Sequence, residues 1–115
     1  MAEIVVIEAT DVLTHVALRG RLDVSGVEQV ERELAKQTVA RGKPAIVDLS
    51  AVDLLASIGV GMLVKTARSM HSYGLIFGVV ATGISKETLE RLKVDTVFPV
   101  VATYEQALQT LMLES

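Results

Sequence analysis

The sequence of 115 residues contains no cysteine. A disulfide framework, a thiolate metal site and a thiol nucleophile are therefore excluded. A reducing compartment is compatible with this composition, and we expect a cytoplasmic protein.

Aromatic residues and clusters of basic residues are also scarce. The chain has two tyrosines, two phenylalanines and no tryptophan, and its 11 lysines and arginines are scattered among 14 acidic residues. Proteins that bind nucleic acid normally meet the phosphate backbone with a basic patch and stack bases on aromatic side chains. We therefore expect no nucleic-acid partner.

Long apolar runs are missing as well. A run such as residues 75–81 is far shorter than the roughly 20 residues that span a bilayer. Residues 1–10 carry no basic stretch of the kind that opens a secretory signal. We expect neither export nor direct insertion into a membrane.

What the chain does have is a regular alternation of strand-like and helix-like segments. Apolar residues make up 50% of it, enough for the core of one domain, and no repeat or linker divides residues 1–115. Strands are predicted at residues 4–8, 14–20, 45–49, 75–81 and 97–101, and helices at residues 25–40, 57–73, 85–93 and from residue 103 onward. The order ββαβαβαβα predicts an α/β domain with a mostly parallel central sheet.

Local signals support these boundaries. Residues 25–28 and 103–106 match capping boxes, and Ser85 matches a further helix N-cap. Pro99 has no amide hydrogen for a sheet ladder, so the last strand is predicted at an edge.

The helix predicted at residues 57–73 carries the functional argument. On a helical wheel its core-facing sector holds Val60, Leu63, Val64, Ala67, Met70 and Gly74. The opposite side places Ile58 and Met62 one turn apart in solvent, beside Ser57, with bare backbone at Gly59 and Gly61. Exposed aliphatic side chains of this kind favour a docking site for another protein. The alternative is that a loop or the terminal helix covers them.

Ser57 itself allows two interpretations. Serine is a favoured N-cap and needs no further role at the start of a helix. A phosphate on the same side chain would lie at the positive end of the helix dipole, where the fold tolerates it while the surface charge changes. The second interpretation makes Ser57 a candidate switch.

Three segments resemble one known family. Gly20-Arg21-Leu22-Asp23, Val47-Asp48-Leu49-Ser50-Ala51-Val52 and Ser57-Ile58-Gly59-Val60-Gly61 are similar to the STAS domain, which bacterial anti-sigma-factor antagonists share with the tails of anion transporters. The resemblance covers nearly the whole chain and implies a single STAS-like domain over residues 1–115. It also implies binding to an anti-sigma factor that is a serine kinase, inactivation by phosphorylation of Ser57, and an acidic residue, Asp23, close to that serine.

The chain departs from the family at this site. Ala56 and Ile58 flank Ser57 where the family commonly has Asp before the serine and Ser or Thr after it. A second interpretation is therefore an adaptor subunit of a signalling scaffold or of a cytoplasmic lipid-transport complex, not phosphorylated. Both interpretations place partner binding at Asp23, Ser57, Ile58, Gly59 and Met62.

An enzyme is the third and weakest hypothesis. A small hydrolase would need His15, Asp23 and Ser57 within hydrogen-bonding reach of one another. His15 and His71 lie on separate predicted elements without ligand spacing, so we expect no metal site, and no motif indicates a cofactor. We predict a non-enzymatic regulator.

Overall fold

A computed structural model describes residues 1–114, with side chains through residue 111. The elements, in chain order, are β1 (Ala2–Ala9), β2 (Thr14–Leu22), α1 (Val24–Gln37), β3 (Ala45–Leu55), α2 (Ser57–Ser72), β4 (Phe77–Val80), α3 (Gly83–Arg91), a short 3-10 helix (Val94–Thr96), β5 (Val100–Val101) and α4 (Tyr104–Glu114). The predicted order is confirmed. The sequence spacing places Met112 on the same side of the last helix as Ala107, Leu108 and Leu111 and predicts that it packs there, but Met112 lies outside the described side chains.

The five strands form one sheet in the order β1-β2-β3-β4-β5. Strand β1 is antiparallel to β2, and all the other pairs are parallel, as the helical crossovers require. Strand β5 lies at an edge, which confirms the prediction from Pro99. Strand β5 is shorter than predicted because the 3-10 helix and Pro99 occupy the residues before it. The carbonyl of Pro99 still accepts a hydrogen bond of 2.9 Å from the amide of Val79 in β4.

Both faces of the sheet are covered. Helices α1 and α2 pack on one face, where Val16, Leu18, Val30, Leu34, Val47, Leu63 and Met70 belong to the main core. Helix α4 covers the other face, where Ala107 and Leu111 pack against Ile46 and Val80. Coverage on both faces explains why the sequences of β3 and β4 show no clean alternation of apolar and polar residues.

Two of the predicted helix starts are wrong. Asp23, not Ser25, is the N-cap of α1, because β2 continues to Leu22 and the Asp23 carboxylate accepts a hydrogen bond of 2.9 Å from the amide of Gly26. Ser85 lies inside α3, whose N-cap is Thr82, and its side chain is buried. Local spacing alone could not choose between neighbouring residues with similar capping side chains.

The predicted capping box at Thr103 is confirmed, except that the Gln106 side chain accepts from a different backbone amide. The hydroxyl of Thr103 accepts a hydrogen bond of 3.2 Å from the amide of Gln106 at the start of α4. The Gln106 side chain reaches back to the amide of Ala102, at 2.9 Å, and not to that of Thr103. Helix α4 therefore begins at a well-defined point beside β5.

Candidate functional site

The candidate site lies where β2 and β3 end side by side. Leu22 pairs with Leu55 in the last register position of the two strands, and the amide of Ala56 donates a hydrogen bond of 3.1 Å to the carbonyl of Leu22. Asp23 and Ser57 follow these strand ends and so lie at the same edge of the sheet. Helices α1 and α2 start from this edge and contact each other along one face.

Strand β3 reaches this edge because it is longer than predicted. We expected it to end at Leu49, but its pairing with β2 continues to Leu55 through two register shifts. Each shift adds one residue to β3 relative to β2, in the manner of a β-bulge. Because β3 continues to Leu55 beside the end of β2, α2 starts next to the start of α1.

Asp23 provides a fixed negative charge at the edge. One carboxylate oxygen caps α1, and the other lies 3.6 Å from Nε of Arg21. The hydrogen bond from Gly26 is the main cause that lowers the pKa of Asp23 below its ordinary value, and Arg21 adds to the effect. The group is therefore a carboxylate at neutral pH.

Ser57 is exposed and is not the N-cap of α2. That position belongs to Ala56, whose backbone is extended and whose side chain can make no capping hydrogen bond. The purely structural interpretation of Ser57 as a cap is therefore wrong. Ser57 is the first residue of a helix of 16 residues and lies in solvent. Its side chain is therefore at the positive end of the helix dipole.

Two aliphatic side chains are exposed at the same edge. Ile58, predicted to lie in solvent, is 42% exposed in the first turn of α2, and Val24 is 57% exposed in the first turn of α1. Val24 was not among the predicted site residues, because the predicted helix began at Ser25. Recognition of Asp23 as the cap would have placed Val24 in the first turn beside the predicted site.

The prediction that Met62 lies in solvent is wrong. Its side chain is only 7% exposed and belongs to the main core. The helical wheel assumed that α2 is covered on one side only, whereas α1 packs alongside it. Met62 contributes instead to a groove of about 290 Å³ between the two helices, whose rim includes Arg32 and Lys65.

Gly59 is also buried, so the bare backbone expected at this position is absent from the surface, whereas Gly61 is exposed as expected. Its Cα lies against the end of β2 and leaves no room for a side chain. Gly59 therefore positions α2 on the sheet and presents no surface to a partner.

The arrangement needed for a hydrolase is not formed. His15 lies near the amino end of β2, and Asp23 follows its carboxyl end. Eight residues of strand, at about 3.3 Å each, separate them by roughly 25 Å. The His15, Asp23 and Ser57 triad considered from the sequence is therefore ruled out.

The part of the chain that the structure describes shows neither a cluster of metal-ligating side chains nor a membrane-spanning helix. Within it, no group of three or more His, Asp or Glu residues is arranged to hold a metal ion. Nor does any helix in the same part have both the length and the apolar character needed to cross a membrane.

The whole chain and its fold are similar to proteins of known type. The chain is 26% identical over 93 residues to the anti-sigma-F factor antagonist RsfB of Mycobacterium tuberculosis, which covers 80% of this chain and 75% of the relative. Its fold matches the crystal structure of an anti-sigma factor antagonist from Mycobacterium paratuberculosis with a TM-score of 0.87 and 28% identity, over 97% of this chain and 95% of the other.

A more distant structural match is SpoIIAA of Bacillus, solved in its phosphorylated form. The TM-score is 0.68 at 17% identity, with 94% of this chain and 98% of SpoIIAA covered, so this match concerns the fold alone. The family description "STAS domain" matches residues 3–107, nearly the whole chain. The similarity first suggested by three short segments thus extends over the entire fold, and the chain belongs to the STAS domain family.

Proposed function

We propose that this protein is a cytoplasmic anti-sigma-factor antagonist that docks to an anti-sigma factor with serine-kinase activity, and that phosphorylation of Ser57 ends the interaction. The docking surface is formed by Val24 and Ile58 in the first turns of α1 and α2, together with Arg21, Asp23 and Ser57 at the same edge of the sheet. The observation that carries the proposal is that Ser57 lies in solvent beside exposed aliphatic side chains and is not needed as a helix cap.

The aliphatic side chains supply the attraction. Val24 and Ile58 start two neighbouring helices whose positions are set by paired strands, so the surface is preorganised. Burying such side chains against a partner contributes about 1.5–3 kcal/mol for each one that becomes fully covered. A few anchors of this kind dominate the binding energy of many interfaces.

Phosphorylation would act through desolvation and charge. A phosphoserine carries about −1.5 to −2 charges at neutral pH and would lie at the amino end of α2, where the dipole favours an anion. The helix would therefore stay folded. A partner that covers Ile58 would also have to remove water from the dianion, at the same edge of the sheet as the carboxylate of Asp23. Each ~1.4 kcal/mol of that cost weakens affinity tenfold.

The relatives support the same proposal. RsfB is named as an antagonist of an anti-sigma factor, and the mycobacterial structure with the same fold bears the same description. SpoIIAA, which shares the fold, exists in phosphorylated and unphosphorylated forms. Kinase activity in the partner and modification at Ser57 remain part of the proposal for this chain.

A second candidate function is an adaptor subunit that is not phosphorylated. It is favoured by Ala56 and Ile58, which replace the acidic and hydroxyl residues common around the serine in the family. Ala56 also leaves the first turn of α2 without a side-chain cap. An adaptor would use the same apolar surface to join a signalling scaffold or a lipid-transport complex and would bind constitutively.

Affinity capture followed by a phosphorylation assay separates the two functions. Wild type, Ser57→Ala and Ser57→Asp serve as baits in native cytoplasm, and the captured protein is then purified and incubated with each bait and ATP. The antagonist function predicts that wild type and Ser57→Ala capture an anti-sigma factor and that Ser57→Asp does not. It also predicts that wild type gains one phosphate and that Ser57→Ala gains none.

Other outcomes contradict the proposal. Capture of the same scaffold or transport subunits by wild type and Ser57→Asp, without phosphate transfer, would establish the adaptor. Equal phosphate transfer to wild type and Ser57→Ala would place the modification elsewhere in the chain. Thermal unfolding of each bait checks that the substitutions leave the domain folded.

A further inference from the structure

A buried histidine lies on the face of the sheet opposite to α1 and α2. His15 of β2 is 7% exposed, and its ring stacks on the ring of Tyr104 in α4, with centroids 4.3 Å apart and planes inclined by 20°. Its buried Nε2 atom has no hydrogen-bond partner among the residues that the structure describes. The site described above does not use this residue.

The histidine lies beneath the point where α4 is attached to the sheet. The Tyr104 hydroxyl donates a hydrogen bond of 2.9 Å to a carboxylate oxygen of Glu8 in β1. One turn and two turns further along, Ala107 and Leu111 pack against Ile46 and Val80. Among the side chains that the structure describes, this ring stack, this hydrogen bond and the small apolar cluster attach α4 to the sheet.

We propose that protonation of His15 releases α4 from the sheet, so that this helix is docked at neutral pH and undocked in mild acid. Release would uncover Ile46 and Val80 and free the last helix, while α1 and α2 on the opposite face stay in place. The proposal is independent of the docking surface around Ser57.

The physical basis is the cost of an imidazolium in this position. Protonation puts an N–H on both ring nitrogens, and the buried Nε2 has no described acceptor. Burial lowers the pKa of His15 and is the largest influence on it, whereas the carboxylates of Asp48 in β3 and Glu8 in β1 act in the opposite direction. On α4 the facing group is Tyr104, whose pKa is raised by burial and by Glu8, so it stays a neutral phenol.

The direction of the pH effect follows from these shifts. When α4 is released, His15 regains water and its ordinary pKa of 6.5. The form with α4 attached to the sheet binds the proton less readily than the released form. The attachment of α4 is therefore unaffected above that pH and is progressively lost as the pH falls below it. One proton is taken up each time α4 is released, so the equilibrium constant between attached and released α4 changes by up to about tenfold per pH unit.

Hydrogen exchange of backbone amides in the full chain tests the proposal. Protection factors are measured from about pH 8 to about pH 5.5, which brackets the ordinary pKa of histidine. We expect the amides of Ala107 and Leu111 to lose protection by up to about tenfold per pH unit below about pH 6.5, while those of Ile46 and Leu63 keep theirs.

Three variants sharpen the test. His15→Phe keeps a ring to stack on Tyr104 but cannot be protonated, so its α4 protection should be independent of pH. His15→Gln also removes the group that can be protonated and is used if the phenylalanine variant does not pack. His71→Gln removes the other histidine, which is exposed in the last turn of α2, and should respond to pH like wild type.

The outcomes decide the proposal in either direction. Constant protection of α4 in wild type across the range, or a pH response that persists in His15→Phe, would overturn it. Simultaneous loss of protection in α4 and in the strands would also overturn it, because acid would then act on the whole fold.

Discussion

Gly59 of α2 lies against Leu22 at the end of β2. A Cβ atom at position 59 would be 2.9 Å from both the Cβ and the carbonyl oxygen of Leu22, closer than real Cβ atoms approach such groups. The same carbonyl accepts the hydrogen bond from the amide of Ala56. The start of α2 is thus held on the neighbouring strand, and this contact sets where Ser57 and Ile58 stand.

Gly59→Ala should therefore destabilise the domain by about 1–3 kcal/mol, because the backbone of Leu22 or the helix must shift. Gly61→Ala is the matched control two residues along the same helix, where an added Cβ would meet no atom within 4 Å. It should stabilise the domain by up to about 1 kcal/mol, since alanine restricts the unfolded chain. Urea unfolding of both variants measures the difference, and equal effects would contradict the close contact.

Met62→Lys should destabilise the domain by several kcal/mol, because it places an ammonium group in the core beneath α1. Met62→Leu keeps the volume and should cost less than about 1.5 kcal/mol. Thermal unfolding of the two variants distinguishes them. A Met62→Lys variant as stable as wild type would show that this side chain reaches solvent after all.

Ile58→Gln should weaken binding to the anti-sigma factor by at least about tenfold while leaving the free energy of unfolding nearly unchanged, because Ile58 is partly exposed before binding. Ile7→Gln is the control: its side chain is 53% exposed, but it lies on β1 beside the amino end of β2, away from the site. Isothermal titration with the purified partner compares the two. Equal losses of affinity would remove the proposed surface.

Asp23→Ala should lower the melting temperature at neutral pH through loss of the α1 cap, whereas Asp23→Asn keeps an acceptor for Gly26 and should lower it less. The pKa of Asp23 is below its ordinary value of 3.8 in the folded state. The stability it contributes is therefore present above about that pH and is lost as the pH falls through the lower, folded value.

A series of thermal unfolding curves in acid checks this direction. Wild type should lose part of its stability to Asp23 protonation, and this part should be missing from Asp23→Asn. An identical acid profile in the two proteins would show that the cap does not depend on the charge.

Much of the fold could be predicted from local patterns. The order of elements, the mostly parallel sheet and the edge position of Pro99 follow from periodicity and from the missing amide of proline, which act over a few residues. Ser57 at the start of a helix and the exposure of Ile58 were also predicted correctly. These features depend little on contacts with segments that are distant in the sequence.

The errors share a different origin. Ser25 and Asp23 were competing caps for α1, and the pairing of Leu22 with Leu55 decided between them. Met62 was placed in solvent because the helical wheel of α2 does not show that α1 covers a second side of it. Gly59 was placed there because the wheel does not show that the end of β2 lies against it. In each case the deciding contact joins segments that are far apart in the chain.

The sequence by itself therefore determined the succession of strands and helices, and with it the placement of a serine at the start of a helix that follows a central strand. Only the tertiary structure decided which side chains of that helix are available to a partner. The physical reason is that periodicity and capping are properties of neighbouring residues, whereas burial is a property of whatever packs against them.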